Sequence, residues 1–195
     1  MKCLARSCRK KSWVARAKAR QGYCLTGGII RRCIESGGSV VGDFSDIIPK
    51  VVDATVEIFT GMVMMEISQQ GEPLAELGNI KDSITGMVGL AGTHKGMLAV
   101  HFPNSLALAI TTSFLGMDIE EINEDVQDAV GEIANMLGGN VKTILSDKGY
   151  DIQLSLPSTI SGEEYTFLAD KDLKQVVIPF SAPAGNFYVE LELEE

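Results

Sequence analysis

Residues 123–146 carry the pattern that most constrains the fold, because their apolar side chains recur at the spacing of a long amphipathic helix. The apolar stripe consists of Val126, Val130, Ile133, Leu137, Val141 and Ile144. Asn123 is a good N-cap, acidic residues crowd the predicted N-terminus, and Lys142 lies near the C-terminus, as the helix dipole favours. A helix with such a stripe must bury it against a second layer of structure.

The other apolar runs predict two further helices and a set of strands. Helical spacing covers residues 45–61, with Ser45 as the cap, Pro49 in the first turn and Gly61 as the stop, and a shorter helix covers residues 103–115. The predicted strands are residues 62–68, 84–91, 97–102, 151–156, 164–168, 175–181 and 186–194. Mostly antiparallel strands with two long helices on one face make an α+β sandwich around a sheet of about six strands. A helix with three strands occurs twice, which predicts pseudo-duplicated units.

The charges divide the chain into two parts of opposite sign. Residues 1–42 hold ten Lys or Arg and one acid, whereas residues 43–195 hold seven Lys, no Arg and 25 acids. All four cysteines and the only Trp lie in the first part, and the Gly-rich residues 36–39 are typical of a linker. We therefore expect a basic, Cys-containing N-terminal extension over residues 1–42, disordered or not native to the domain, and one domain over residues 43–195.

Two interpretations of the extension stay open. Either the true start lies near Val40 or Val41, or the segment is a native basic tail that touches nucleic acid or a membrane. The cysteine spacings match no zinc template, the N-terminal segment does not have the pattern of a secretory signal, and no later window has about 18 uninterrupted apolar residues. A body without thiols agrees with a cytoplasmic location.

The long helix has a second face that is unfavourable for a plain surface helix. Glu132 and Asn135 lie three residues apart, so they project together away from the apolar stripe. Asn135 is a weak helix former, and Gly138 and Gly139 each destabilise a helix by roughly 1 kcal/mol relative to Ala. The two glycines remove side-chain bulk and let another protein surface approach closely. The alternative is a solvated face with a kink at the glycine pair.

The spacing of these residues resembles a known signature. The run Asp128-x-x-x-Glu132-x-x-Asn135-x-x-x-Gly139-Asn140 is similar to that of the CheC/CheX/FliY family of chemotaxis phosphatases. The order of helices and strands over residues 43–195 also resembles that family, which supports the predicted fold.

The first helix offers only part of the same signature. Glu57 stands where the Glu would, but Thr60 stands in place of the Asn. A single complete helix is more similar to CheX than to CheC, which carries two. The resemblance therefore implies that the first-helix position is inactive.

The resemblance also implies a reaction, which is hydrolysis of the aspartyl phosphate on a CheY-type response regulator. Asn135 would orient the attacking water, and Glu132 would pair with the lysine of the regulator's active site. The residues implied in partner binding are Asp128, Gly138, Gly139 and Asn140. Any Mg²⁺ is expected in the regulator, with no cofactor or metal bound by this chain.

Two rival functions stay open from the sequence. One is a non-catalytic adaptor or flagellar-switch module of the same fold, and the other is a structural domain whose last strand, residues 187–193, pairs at an edge between subunits. The resemblance to CheX-like proteins also implies a homodimer, which does not exclude catalysis. The absence of Arg from the domain argues against a nucleic-acid site, and His94 and His101 are isolated rather than grouped as ligands.

Overall fold

The structure is a computed structural model that describes residues 23–26, 29–32, 44–166 and 173–194. The chain divides into two compact units, Met1–Ser39 and Val40–Glu195. In the first unit, β1 (Tyr23–Thr26) pairs antiparallel with β2 (Ile29–Arg32). The predicted boundary near residue 42 lies outside the described residues, so the assignment of residues 1–42 as an extension stays a prediction.

The second unit is an α+β sandwich, as the sequence predicts. Its helices are α1 (Ile48–Ile58), a π-helical turn (Phe59–Val63), α2 (Asn104–Leu115) and α3 (Glu124–Ser146). Its strands are β3 (Ser68–Gln69), β4 (Ile80–Gly92), β5 (Gly96–Pro103), β6 (Ile152–Leu154), β7 (Ser158–Tyr165), β8 (Leu173–Ala182) and β9 (Gly185–Glu194). These seven strands form one antiparallel sheet, which agrees with the predicted sheet of about six strands.

The sheet has the layout of two interlocked repeats, each made of a helix and the strands that follow it. Along the sheet the order is β3-β8-β9-β5-β4-β6, and β7 also pairs with β4. Because β5 occupies one edge of β4 along its whole paired length, β6 and β7 must share the other edge. The hairpins β4–β5 and β8–β9 meet in the middle of the sheet. Each is flanked by a short strand from the other repeat, β6 beside β4 and β3 beside β8. This arrangement agrees with the predicted pseudo-duplication.

The helices pack on one face of this sheet. Gly86, Val100 and Val189 are register partners on neighbouring strands and therefore share that face. A Cβ added at Gly86 would lie 2.7 Å from the carbonyl oxygen of Val130, so α3 lies almost directly on β4. On the same face, the Phe59 ring after α1 stacks on Phe187 with the ring centroids 5.0 Å apart. One continuous hydrophobic core therefore joins the helices and the sheet.

The predicted strand over residues 62–68 is wrong in most of its length. The chain continues past Gly61 as a π-helical turn that ends at Met64, and only Ser68 and Gln69 pair as a strand. The reason is tertiary, because Phe59 and Val63 are both 1% exposed and helical spacing places both in the core. Ser45 is not the cap of α1, because the N-cap is Ile47 and makes no side-chain capping bond.

The expectation that the last strand lies at a sheet edge is also wrong. β9 is hydrogen-bonded to β8 on one side and to β5 on the other. Both faces of β9 are covered, since Glu190 is 0% exposed and Glu192 is 4% exposed. Among the described strands of this sheet, β3, β6 and β7 each have one partner strand, so the unpaired edges belong to them.

The face of the sheet away from the helices carries a polar network that the sequence did not reveal. His101 donates from Nε2 to the Glu190 carboxylate at 2.8 Å, and its Nδ1 is hydrogen-bonded to the Thr85 hydroxyl at 2.8 Å. Tyr165 lies 2.8 Å from the Thr85 hydroxyl and Gln175 donates to Glu190, so the network crosses five neighbouring strands. Burial raises the pKa of the Tyr165 phenol. The network satisfies polar groups that would otherwise destabilise a buried sheet face.

Candidate functional site

The helix α3 forms as its sequence predicts. The Asn123 side chain accepts a hydrogen bond from the backbone N–H of Val126 at 3.1 Å, which caps the first turn. All six residues of the predicted apolar stripe are buried against the sheet. The rotational setting of the helix is therefore fixed by the core, and the other face is held in a defined direction.

Glu132 and Asn135 lie on that other face. Glu132 is exposed and Asn135 is half-buried. Residues three apart on a helix have Cβ atoms about 5–6 Å apart, so one partner group can reach both side chains. Neither side chain forms a hydrogen bond or an ion pair with another described residue, and their polar atoms are free to meet a partner. The helix keeps Asn135 without using its amide locally.

The adjacent glycines Gly138 and Gly139 of α3 face different directions, which corrects the expectation that both meet a partner. Gly138 is buried, and a Cβ added there would contact Val88 at 3.5 Å and Leu154 at 3.6 Å, so this glycine faces the sheet. Gly139 has open space around its missing Cβ, and Asn140 is half-buried beside it. Only Gly139 leaves room for a partner's surface.

A shallow depression runs alongside Glu132. Its volume is about 270 Å³, and α3 forms one wall while the start of β7 forms the other. The lining residues are Gln127, Asp128, Gly131, Glu132, Pro157, Ser158 and Thr159. Asp128 and Glu132 are therefore brought to one concave surface, and the second wall was not predicted from the sequence. A partner that covers Glu132 meets two carboxylates there and no basic side chain.

The electrostatic character of this face is acidic. Glu124, Asp125, Asp128 and Glu132 follow each other along α3, and the first basic residue of the helix is Lys142. Among the described residues, no group of three or more His, Cys, Asp or Glu could hold a metal ion. The face is thus suited to a basic surface on a partner protein.

The histidines and the larger cavity lie away from this face. His101 is in β5, within the polar network, and His94 is in the β4–β5 turn, where its ring packs edge-on against Tyr150 at 4.5 Å. A cavity of about 340 Å³ lies beside Leu145, Lys148 and Tyr150. Leu145 is thirteen residues after Glu132 on α3, which corresponds to roughly 20 Å along the helix axis. This cavity is therefore separate from the depression.

The corresponding part of the first helix differs from α3 in its backbone as well as at Thr60. Glu57 and Thr60 are both exposed, whereas on α3 Glu132 is exposed and Asn135 is half-buried. However, Glu57 is in the α-helix whereas Thr60 lies in the π-helical turn that follows. The π turn covers Phe59–Val63, so the residues that follow Thr60 are not placed as Gly138 and Gly139 are placed after Asn135.

Several solved structures similar to this chain are CheC-like or chemotaxis proteins. The chain is 33% identical to a CheC-like superfamily protein from Shewanella sp. PV-4, with a TM-score of 0.69 over 77% of this chain and 99% of that one. It is 32% identical to the chemotaxis protein CheX from Desulfovibrio desulfuricans, with a TM-score of 0.69 over 76% of this chain and 99% of that one. The fold and the position of α3 therefore define a CheC-like protein.

The family can be stated more narrowly. Residues 84–181, which contain α3 and the depression, match the family model described as chemotaxis phosphatase CheX. The chain belongs to the CheX family. A curated relative, the CheY-P phosphatase CheX from Thermotoga maritima, is 27% identical over 86 residues, which are 44% of this chain and 56% of that protein. No helix among the described residues is long and apolar enough to span a bilayer.

Proposed function

We propose that this protein hydrolyses the aspartyl phosphate of a phosphorylated CheY-type response regulator. The observation that carries the proposal is the pair on α3, exposed Glu132 and half-buried Asn135, which face outward one turn apart without partners among the described residues. Membership of the CheX family and the name of the Thermotoga maritima relative support the same reaction. The proposal includes a cytoplasmic location and a homodimer, which stay predictions from the sequence.

In this proposal Asn135 orients the attacking water. An acyl phosphate is reactive, so hydrolysis is accelerated by a water held in line with the scissile P–O bond and by stabilisation of the charge that develops. The amide oxygen of Asn135 accepts a hydrogen bond from the water, and its NH₂ group donates to a phosphoryl oxygen. An uncharged amide does this without repelling the phosphoryl group.

Glu132 serves as the docking residue. Its carboxylate pairs with the lysine of the regulator's active site, and its position one turn from Asn135 sets the register of the amide above the phosphorus. Asp128 and Asn140 add polar contacts at the rim, and the open space at Gly139 admits the regulator's surface. Mg²⁺ is held by the regulator, where it neutralises phosphoryl charge, and this chain contributes no ligand to it.

The test of this function is the decay of the phosphorylated regulator in Mg²⁺ buffer, with and without a small molar fraction of the full chain. Multiple turnovers per molecule of this protein are expected. Binding to the phosphorylated regulator without faster phosphate release would instead identify a non-catalytic adaptor of the same fold. If this protein neither binds the phosphorylated regulator nor accelerates phosphate release, the proposed partner is rejected.

Removal of the Glu132 charge should weaken docking more than chemistry. In Glu132→Gln the side chain keeps its shape but loses the ion pair, so we expect the KM for the phosphorylated regulator to rise on the order of tenfold. Raising the salt concentration should weaken binding of the regulator to the native protein more than binding to this variant, because the variant has less charge to screen. Glu57→Gln is the matched control, since Glu57 is also exposed, on α1. Equal effects of both substitutions would contradict the assigned role of Glu132.

The first helix should not gain activity when its missing residue is restored. Thr60→Asn recreates the spacing Glu-x-x-Asn, but residue 60 lies in the π-helical turn. Placed in a chain that also carries Asn135→Ala, it should leave the regulator's phosphate decay at the rate of Asn135→Ala alone. Recovery of even a tenth of the native rate would show that the amide alone, and not the helix geometry, is what α1 lacks.

A further inference from the structure

We infer that the docking surface for the regulator extends from α3 across the depression onto the segment between β6 and β7, where Leu156 is its apolar contact. The inference rests on the proposed function, because it names a further part of the surface that the same partner covers. The two walls of the depression are α3 and the segment that begins at Pro157. A partner seated on Glu132 therefore meets both elements.

The size of a protein interface brings Leu156 within the contact area. A stable interface buries about 800 Å² on each partner, which corresponds to a disc with a radius of about 16 Å. Pro157 lines the same depression as Glu132, and Leu156 is its neighbour in the chain, with the Cα atoms about 3.8 Å apart. A disc centred on Glu132 includes Leu156. The Leu156 side chain is 87% exposed, which leaves nearly all of its apolar surface for a partner to bury.

The segment that carries Leu156 is held firmly to the sheet. The backbone N–H of Ser155 donates to the Gly89 carbonyl at 2.9 Å, and the Gly89 N–H donates to the Ser155 hydroxyl at 2.9 Å. That hydroxyl also donates to the Leu156 carbonyl at 2.8 Å. The connection between β6 and β7 is thus anchored to β4 at Ser155, through its backbone N–H and its hydroxyl. A preorganised contact loses little conformational entropy when a partner binds, which favours affinity.

Gly131 keeps the floor of the depression open. A Cβ added there would lie 3.7 Å from a methyl carbon of Thr159 and 3.8 Å from the ring of Pro157, so it would fill space without a clash. Alanine is also the better helix former by roughly 1 kcal/mol. The glycine therefore lowers helix stability where the gap between the two walls is open. A partner's side chain that enters this gap would lie between an acidic wall and the segment next to Leu156.

The chemistry of the two walls defines the partner's face. Asp128 and Glu132 provide carboxylates on one side, and Leu156 provides an apolar side chain beyond the other. The complementary surface is a basic side chain beside an exposed apolar patch. A receiver domain that has the lysine but lacks the adjoining apolar patch should dock more weakly, so this segment discriminates between regulators that share the same reaction centre.

The first experiment is Leu156→Ala in the full chain, with a phosphorylated CheY-type regulator as substrate. Loss of a buried leucine side chain should raise the KM about tenfold and leave kcat unchanged, because the reacting groups are untouched. Leu74→Ala is the matched control. Leu74 is 42% exposed and pairs with β8 at the opposite edge of the sheet, five strand spacings or roughly 24 Å from β7. Equal KM values for the two variants would overturn the inference.

The second experiment separates binding from stability. Gly131→Ala should raise the melting temperature, because of its helix propensity, and at the same time raise the KM several-fold by filling the depression. A raised melting temperature with an unchanged KM would overturn the role of the depression. If the native protein does not accelerate phosphate loss, the proposed function fails, but the surface is still tested by binding to the regulator activated with beryllofluoride. Weaker binding of Leu156→Ala than of Leu74→Ala would then support the surface alone.

Discussion

Replacement of Asn135 by alanine should reduce the acceleration of phosphate loss about 10²-fold or more while leaving the protein folded. The loss is large because the amide acts only on the water and the phosphoryl group, and removal of one preorganised hydrogen-bonding group at a reacting centre has effects of this size. Binding of the regulator should change little, since Glu132 and the rest of the docking surface are intact. The expected result is therefore a fall in kcat with KM nearly constant, measured from the decay of the phosphorylated regulator.

The same variant should be at least as stable as the native protein, although its activity is lower. The Asn135 side chain forms no hydrogen bond with another described residue, so its removal breaks no local interaction. Alanine is the better helix former by about 0.5 kcal/mol, and the variant should unfold at an equal or higher urea concentration. Asn186→Ala, at an exposed position in β9, is the matched control and should keep full activity. A destabilised and inactive Asn135→Ala variant would mean that Asn135 has a structural role instead.

Asn135→Asp distinguishes the amide from a simple hydrogen-bond acceptor. The carboxylate has nearly the same shape and can still accept a bond from water, but it cannot donate and it brings negative charge beside the phosphoryl group. We expect this variant to be at least as inactive as Asn135→Ala. Substantial activity in Asn135→Asp would favour a general-base mechanism over orientation of the water.

The long helix could be predicted from the sequence because its determinants are local. The N-cap at Asn123 and the apolar stripe are both set by neighbours within a few turns, and the structure confirms them. The same periodicity also predicts that Gly138 and Gly139 face different sides of the helix. Gly138 follows Ala134 by four residues and so shares the side of the helix that lies on the sheet, whereas Gly139 does not. Both glycines were nevertheless assigned to a partner surface.

The errors arise where long-range packing overrides a local signal. Gly61 is a reasonable helix stop by itself, yet burial of Val63 carries the chain one turn further. The alternation in β9 correctly predicts a strand, but alternation with acidic residues suggests a solvated edge, and Glu190 is in fact buried beside His101. Likewise, no local pattern shows that Pro157 and Thr159 form the second wall of the depression, since they reach α3 only through pairing of β7 with β4.

Gly86→Ala should be the most damaging small substitution for the position of α3. A Cβ there would lie 2.7 Å from the carbonyl oxygen of Val130 and 2.9 Å from a Val130 methyl. The oxygen belongs to the helix backbone and cannot rotate away, so the helix must lift from the sheet. Overpacking of this kind destabilises a protein by about 1–3 kcal/mol. We therefore expect a lower midpoint of urea unfolding and, because Glu132 is two residues from Val130, a loss of phosphatase activity under conditions where the variant is still folded.

Gly138→Ala is the matched control from the other side of the same contact. A Cβ there would meet Val88 at 3.5 Å and Leu154 at 3.6 Å, which are ordinary contact distances, so the methyl group fits between α3 and the sheet. Because alanine also favours the helix by up to about 1 kcal/mol, this variant should be as stable as the native protein or more stable. If both variants lost stability equally, the glycines would be needed only to let the two layers approach. If Gly86→Ala lowers the stability and Gly138→Ala raises it, the position of α3 on the sheet is determined at Gly86. The outward direction of Asn135 then depends on how closely β4 approaches the helix.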